Sequence, residues 1–240
     1  MTVNTYVAVS AQRAMEARLE SIASNIANVN TPGFRAAGVR FEAEIRRVGQ
    51  DQVAYASSGE SYVNRKQGPI TYTGNTLDVA IQGDGWFGFN TPQGTVYSRD
   101  GRFHMNANGD LLSAAGYAVT DPGGSPIVLD PAGGPVQIGE NGTISQAGQQ
   151  LGSIGLFTIP ADAKLRRHDN SAIVPDKPAE PVEDMTADGM RQGYLEGSNV
   201  NPVVEMTRLI EASRAFDQAT AAANQDDETI QEAIRTLGAG

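Results

Sequence analysis

The feature that most constrains this chain is a helical repeat that stops at a proline and a glycine. Through the first thirty residues, apolar and small side chains recur at steps of three and four, the spacing that lines one face of an α-helix. Pro32 disfavours the α conformation at Thr31, and Gly33 permits a positive φ. The pattern predicts a helix over about residues 4–28 that ends in a turn. The stripe consists of Ala8, Ala11, Met15, Leu19, Ile22, Ile26 and Val29.

A second periodic segment occupies the other end of the chain. Its apolar positions keep close to the 3.5-residue spacing of a coiled-coil seam, although Asp227 interrupts it. Asn201 and Pro202 suit the N-cap and the first helical position. The predicted seam consists of Val203, Met206, Ile210, Ser213, Phe216, Thr220, Ala223, Ile230, Ile234 and Leu237.

These two helices are poor in large hydrophobic side chains, so packing on each other would bury little apolar area and leave them marginal in isolation. Their opposite charge balance favours pairing, but only weakly: residues 1–47 hold six Arg against four Glu, and 201–240 hold three Arg against seven acidic residues. A periodic pair of this kind completes its burial against copies of itself or homologous neighbours. This is the physical argument for an assembly subunit, although such a stripe is also typical of a helix lying on its own domain.

The centre of the chain predicts a β domain. Residues 74–160 are dense in glycine and in β-forming runs, and the Asn-Gly pairs at 108–109 and 141–142 indicate hairpins with type I′ turns. Residues 35–72 predict extended segments, and the proline-containing stretch 164–183 predicts a surface loop. The predicted strands are 77–81, 85–89, 95–98, 102–106, 117–120, 127–129, 136–138, 143–145 and 151–158.

Together these patterns predict an α+β fold in which paired, coiled-coil-like N- and C-terminal helices carry an inserted glycine-rich all-β domain. The expected boundaries are a terminal helical domain of residues 1–32 plus 201–240, an extended connector of 33–74 and a β-rich domain of 75–200.

Composition excludes several functions. The chain has 240 residues with 28 acidic against 18 basic, a net charge of −10, which argues against a nucleic-acid partner because phosphate binding depends on Lys and Arg. It has no cysteine, which removes disulfides, thiolate nucleophiles and sulfur-ligated metals. No stretch approaches the roughly 20 apolar residues that span a bilayer, and the first thirty residues lack a cleavable signal. We therefore expect a soluble protein with no membrane insertion.

One candidate for chemistry is the pattern formed by Gly83, Gly85 and Gly88, which matches a dinucleotide-binding fingerprint after a predicted strand. That fingerprint needs a helix to begin at the glycines, but Trp86 and Phe87 continue as a strand. We therefore predict a tight turn, with Trp86 as a core anchor or, alternatively, an interface residue.

The remaining candidates are weaker. Residues 106–110 resemble part of a calcium loop but lack both anchoring carboxylates, and neither His104 nor His168 has a second ligand at metal-binding spacing. The chain has no Gly-x-Ser-x-Gly nucleophile elbow. We predict no catalytic residue, no metal, no cofactor and no enzyme activity.

Four short segments are more specific. The first holds Ala27, Asn28, Thr31, Gly33 and Phe34; the others are residues 77–87, 99–103 and 195–201, the last followed by 204–216. In residue type and order these segments resemble the flagellar axial proteins that build the rod and hook of the bacterial flagellum. The resemblance implies a structural subunit of the basal-body rod that assembles with homologous axial proteins into the torque-transmitting drive shaft.

Within that family the chain looks most like the proximal-rod class, with the distal-rod class as the alternative. A runner-up from another class is a secreted β-domain binding module tethered by its helices. The resemblance further implies partners among other rod proteins and copies of the chain, export by the flagellar type III apparatus without signal cleavage, and a rod location in the periplasm. The predicted assembly interface comprises Ala11, Met15, Leu19, Ile22, Ile26, Asn28, Met206, Ile210, Ser213 and Phe216.

Overall fold

The computed structural model describes residues 3–41, 43–48, 51–56, 59–183, 185 and 188–237. The chain divides into two compact units. Unit 1 comprises the described parts of Met1–Ala27, Ala37–Tyr62 and Asn201–Gly240, and unit 2 comprises those of Asn28–Ala36 and Val63–Val200. Helices and strands both contribute extensively, which confirms the predicted α+β class.

Unit 1 contains two long helices that pack on each other, α1 (Val3–Ala27) and α2 (Pro202–Leu237). The start of α2 follows the predicted capping pattern, because Asn201 Oδ1 accepts the backbone N–H groups of Val203 at 3.1 Å and Val204 at 3.2 Å. At 36 residues, α2 is about 54 Å long at roughly 1.5 Å per residue. Both predicted terminal helices are confirmed.

Four strands join the helices in unit 1, where β1 pairs with β4 and β2 pairs with β3 in an antiparallel hairpin. They lie where the sequence predicted extended segments. The last residue of β4 falls in unit 2. The four are β1 (Ala37–Arg40), β2 (Ala43–Val48), β3 (Asp51–Ala56) and β4 (Glu60–Val63).

Unit 2 contains the other strands of the described chain. They are β5 (Ile70–Tyr72), β6 (Val79–Gln82), β7 (Trp86–Thr91), β8 (Gly94–Ser98), β9 (Phe103–Met105), β10 (Leu111–Ser113), β11 (Ala118–Val119), β12 (Val136–Ile138), β13 (Thr143–Gln146), β14 (Gln149–Ser153), β15 (Leu156–Thr158), β16 (Leu165–Arg167), β17 (Ala172–Pro175), β18 (Glu180–Pro181), β19 (Gly189–Gln192) and β20 (Tyr194–Glu196).

The largest sheet of unit 2 has the strand order β16-β17-β8-β7-β11-β10-β9. Strand β7 lies at its centre, with β8 on one edge and β11 and β15 end to end along the other; β15 also pairs with β18. Smaller antiparallel sheets are formed by β12-β13-β14, by β6 with β19 and by β5 with β20. Successive side chains of β7 point to opposite faces of this sheet, and both faces are buried.

The core of unit 2 is built around the aromatic residues of β7 and β9. Phe87, Phe89 and Phe103 are buried, and the Phe87 and Phe103 rings meet edge to face with centroids 5.1 Å apart. Trp86 is buried on the opposite face of β7, in a second cluster with Leu165 and Ile173. This burial confirms the prediction that Trp86 is a core residue.

One loop prediction and one strand prediction are wrong. Residues 164–183 are not simply a loop, because they form β16, β17 and β18 and bury Leu165, Ala172 and Ile173. The loop was predicted because the segment is polar and contains several prolines, which outweighed its few apolar residues. Residues 151–158 are not one strand, since the ladder of β14 ends before Gly155, whose N–H donates instead to Thr120 O at 2.8 Å.

The turns also differ in detail from the predictions. Both predicted hairpins exist, β9 with β10 and β12 with β13, but only the glycine of each Asn-Gly pair has a positive φ, +92° at Gly109 and +77° at Gly142. A type I′ turn needs two such residues, so the predicted turn type is wrong. Residues 127–129 make an isolated bridge through Val128 rather than a strand.

Candidate assembly interface

An apolar stripe is exposed along the first turns of α2. The exposed fractions are 71% for Val203, 54% for Met206 and 56% for Ile210. Spacings of three and four residues place these side chains on one face of the helix. We call Val203, Met206 and Ile210 the exposed stripe. Large apolar side chains exposed side by side indicate a surface for another protein, whereas single ones do not.

A different face of α2 is covered within unit 1. It runs through Glu205, Leu209, Ala212 and Phe216, of which Glu205 and Ala212 are buried and the other two half-buried. This face shares Phe216 with the predicted seam but is otherwise offset from it, and it contains a charged residue and an alanine. Prediction from apolar content alone therefore chose a face of α2 as the packed seam that is exposed in the structure.

The predicted interface residues fall into two groups. On α1, Ile22 is buried and Ala11, Met15, Leu19 and Ile26 are half-buried, as are Asn28 and Phe216. On α2, Met206, Ile210 and Ser213 are exposed. The second group does not complete the helix pair inside unit 1. Contact of any of these residues with neighbouring subunits stays a prediction.

A buried polar contact links α1 to α2. Asn25 Nδ2 donates to Glu205 Oε2 at 3.1 Å and to Ala37 O at 2.8 Å, while Asn25 Oδ1 accepts from Ala37 N at 2.9 Å. The other carboxylate oxygen of Glu205 accepts from Arg208 Nη1 at 2.6 Å. A buried polar side chain with satisfied partners fixes the register of two helices, since sliding either helix would leave it unpaired.

The turn after α1 is held in unit 2 by close backbone contacts. Asn28 Oδ1 accepts from the Thr31 hydroxyl at 3.0 Å, and Gly33 N donates to Glu196 O at 2.8 Å. Gly33 has a φ of +68°, and a Cβ added there would lie 2.2 Å from Asp100 N. Only glycine fits this position, which explains why the motif requires it.

The motif segments converge on one buried ion cluster. Glu196 is fully buried and accepts from Arg99 Nε at 2.8 Å, Arg35 Nη1 at 2.5 Å and Gly68 N at 2.9 Å. Arg99 also donates to the carbonyl oxygens of Gly83 at 2.9 Å, Ile81 at 3.3 Å and Gly85. The cluster thus joins segments 77–87, 99–103 and 195–201 to the residue that follows Phe34.

Burial governs the electrostatics of this cluster. Desolvation lowers the pKa of Arg35 to about 10; the nearby Glu196 carboxylate opposes this shift, and the Arg99 cation adds to it. The arrangement holds two buried guanidinium groups around one carboxylate, and it stabilises loops by bonding their carbonyl groups. The role of this cluster is to hold the loops of unit 2 in place.

A second group of contacts extends the cluster. Asn199 Oδ1 accepts from Ala36 N at 2.6 Å, and Asn199 Nδ2 donates to Lys66 O at 2.7 Å. The Arg167 guanidinium lies 4.3 Å from the centroid of the buried Phe34 ring, a cation–π contact. Phe34 and Asn199, both residues of the motif segments, therefore stabilise contacts between distant segments of unit 2.

Sequence reasoning missed the polar and charged members of both networks. They are Arg35, Arg99 and Glu196 in unit 2, and the amide Asn25 and the carboxylate Glu205 in unit 1. A signal was present, because Glu196 follows the apolar Tyr194-Leu195 pair, and Arg99 directly follows a predicted strand. A charged residue embedded among buried positions requires a partner. The partner itself is distant in sequence and could not be identified from spacing.

The described residues contain no cluster of three or more His, Cys, Asp or Glu side chains arranged to hold a metal ion. Among the helices of the described residues, none has the length and apolar character that crossing a membrane requires.

Three family models match the chain. They are "Flagella basal body rod protein" over residues 6–35, "Flagellar hook protein FlgE/F/G D1 domain" over 80–146 and "Flagellar basal body rod FlgEFG protein C-terminal" over 191–236. The matches begin near the start of α1, pass through the central strands and end near the end of α2. They include the four segments that carried the resemblance, apart from residues 77–79.

Full-length relatives agree with these models. The chain is 50% identical to the flagellar basal-body rod protein FlgF of Mesorhizobium japonicum and 42% identical to that of Rhizobium meliloti, in each case over 99% of both chains. It is 29% identical to the rod protein FlgG of Bacillus subtilis over 98% of both chains. These relatives do not favour the alternative of a secreted binding module. The chain belongs to the flagellar basal-body rod proteins and is FlgF-like, a structural subunit of the rod.

Proposed function

We propose that this rod subunit joins its neighbours through the exposed stripe of α2 together with the partly buried face of α1. The observation that carries the proposal is the exposure of Val203, Met206 and Ile210 on one helix face. In this proposal residues 1–32 and 201–240 form the inner tube of the rod, 33–74 connect, and 75–200 form an outer, glycine-rich β domain inserted between the helices.

The energetics of the stripe support this proposal. Fully burying a Val, Ile or Met side chain contributes about 1.5 to 3 kcal/mol. Each stripe residue already has part of its surface covered, so a neighbour would gain about 1 kcal/mol from each, or about 3 kcal/mol per contact. A gain of this size is weak for two subunits. Repeated at every subunit of a polymer, it holds the assembly together.

The proposed role is mechanical and needs no catalysis. Helices interlocked through the stripe would pass torque from one subunit to the next, and the Arg99–Glu196 cluster would keep unit 2 from deforming under load. We further propose that the partners are other rod proteins and copies of this chain. The subunit would reach the periplasmic rod through the flagellar type III export apparatus without losing a signal peptide.

The test charges the stripe and compares it with an equal charge elsewhere on α2. Ile210→Glu places a carboxylate on the stripe, whereas Gln218→Glu places it on the exposed polar face of the same helix. We expect Ile210→Glu to abolish rod assembly and motility, and Gln218→Glu to retain both. Circular dichroism and Trp86 fluorescence check that both variants fold. Normal rods and motility with Ile210→Glu contradict the proposal.

A further inference from the structure

A cleft of about 320 Å³ lies in unit 2, beside the turn between β6 and β7. Three arginines line it, Arg35, Arg65 and Arg99, together with Asp84 and Trp86. The volume is at the small end of the range for ligand sites, which suits one side chain rather than a nucleotide. Three guanidinium groups at one cleft are unexpected in a chain with a net charge of −10.

The cleft has more hydrogen-bond donors than acceptors. As far as the described residues show, both hydrogen bonds of the Arg35 side chain come from Nη1, and its buried Nε has no partner. Among the described residues, Arg65 donates only to the carbonyl oxygens of Ile159, Pro160 and Ala163 and forms no ion pair with a carboxylate. Within the described part of the chain, these two guanidinium groups therefore retain N–H donors that are not used.

Among the buried charged groups at the cleft, the guanidinium groups of Arg35 and Arg99 outnumber the one carboxylate, Glu196, in the described residues. Glu196 is the only carboxylate in contact with these arginines among the described residues, and its two oxygens are already taken by Arg35, Arg99 and the Gly68 amide. Asp84 and Asp162 attract Arg65, and Asp84 also attracts Arg35, but both carboxylates are exposed and neither forms an ion pair with an arginine among the described residues. An additional carboxylate would bind directly to the guanidinium donors that these carboxylates leave unused.

We propose that this cleft binds a carboxylate, supplied in the rod by an acidic side chain of a neighbouring subunit. Planar guanidinium groups bind carboxylates with charge-assisted, often paired hydrogen bonds. Copies of this chain are rich in such groups, with 28 acidic residues, and α2 exposes Glu211 and Asp217. Only the source of the carboxylate rests on the proposed function; the ligand chemistry does not.

The first test uses Trp86, the single tryptophan of the chain and a cleft residue, as the reporter. The full-length monomer is titrated at constant ionic strength with N-acetylglutamate α-amide, and separately with N-acetylglutamine α-amide, which has the same shape without the charge. We expect a saturable change in Trp86 emission with the first compound in the millimolar range, and affinity at least tenfold lower for the second. Equal responses overturn the proposal.

Two variants test the assignment of residues. Arg65→Gln is expected to weaken binding at least fivefold, whereas Arg166→Gln, an exposed arginine on β16, leaves it unchanged. Asp84→Asn removes the competing carboxylate and is expected to tighten binding about two- to threefold, given the Coulomb energy between partly screened charges. A purely structural role for these arginines predicts no tightening, so unchanged affinity in Asp84→Asn counts against the cleft, even where Arg65→Gln folds poorly.

The last arms separate the possible sources of the anion. Inorganic phosphate bound more tightly than the glutamate compound overturns the carboxylate assignment. In cells, Arg65→Gln is expected to reduce the yield of rods relative to Arg166→Gln; equal yields overturn the neighbouring subunit as the source. The titration is done on the monomer, so its result is independent of whether the α2 stripe mediates assembly.

Discussion

The buried Glu196 carboxylate gives the sharpest prediction about stability. In Glu196→Gln the side chain keeps its shape, but one of its two acceptor oxygens becomes an NH₂ group. That NH₂ group must face either Arg99 Nε or the pair formed by Arg35 Nη1 and Gly68 N, all of them donors within 2.9 Å of the present carboxylate. The two guanidinium groups also lose their shared counter-charge.

Removing one partner of a buried ion pair costs roughly 3 to 5 kcal/mol. Because glutamine retains one acceptor, we expect a loss near the lower end, about 3 kcal/mol. That is a large share of the 5 to 15 kcal/mol typical of a folded domain. With a slope of about 3 kcal/mol per molar urea, the unfolding midpoint of unit 2 falls by about 1 M.

Urea unfolding of the full chain, followed by the emission of Trp86 in unit 2, measures this loss. Glu180→Gln is the matched control, since Glu180 is exposed on β18, and its free energy of unfolding should stay within about 0.5 kcal/mol of the parent. A Glu196→Gln chain as stable as that control refutes the view that the buried charge organises the motif segments.

Three further changes test other parts of the structure. Gly33→Ala should destabilise unit 2 by at least about 3 kcal/mol in the same urea assay, because the added Cβ would lie 2.2 Å from the Asp100 backbone. The control, Gly152→Ala, adds a Cβ with no atom within 4 Å and should be neutral, so equal stabilities of the two variants contradict this prediction. Asn25→Ala removes the hydrogen bond between Asn25 on α1 and Glu205 on α2. The amide hydrogens of α1 should then exchange faster, by an amount corresponding to about 1 to 3 kcal/mol of lost protection. Unchanged exchange rates contradict the view that Asn25 fixes the register of the two helices. The exposed Asp162 carboxylate accepts a hydrogen bond from Lys177, which lowers the pKa of Asp162. The pair therefore stabilises the fold above the unfolded-state pKa of this carboxyl group, and that contribution is lost as the pH falls through the folded-state pKa. Carbon NMR titration should show that Lys177→Met raises the pKa of Asp162, and an unchanged pKa refutes the pairing.

The elements that depend on local pattern could be predicted from the sequence. Both helices have a periodic apolar pattern, which Asp227 interrupts in α2. Each also has a capping or breaking signal, Asn201 before α2 and Pro32 after α1, so their approximate bounds followed directly. Trp86 was correctly placed in the core because glycines precede it and aromatic residues follow. Secondary structure of this kind is encoded by neighbours in sequence.

The candidate sites depend on contacts between distant residues and could not be predicted in the same way. Glu196 and Arg99 are 97 positions apart, and Asn25 and Glu205 are 180 apart. Pattern reasoning also ranks a helix face by apolar content, so it favoured the stripe with Met206 and Ile210 over the covered face with Glu205. A buried glutamate satisfied by a distant partner reverses that ranking, and only the three-dimensional structure shows it.

The most direct test of the central claim is the accessibility of one thiol at position 210. The chain has no cysteine, so Ile210→Cys introduces a single thiol, which a maleimide–polyethylene glycol reagent labels with a visible shift in mass. We predict rapid labelling in the monomer, at least tenfold slower labelling in purified basal bodies, and rapid labelling again once the rods are dissolved in denaturant. Labelling of intact rods at the monomer's rate would contradict the assignment of the exposed stripe as the surface between subunits.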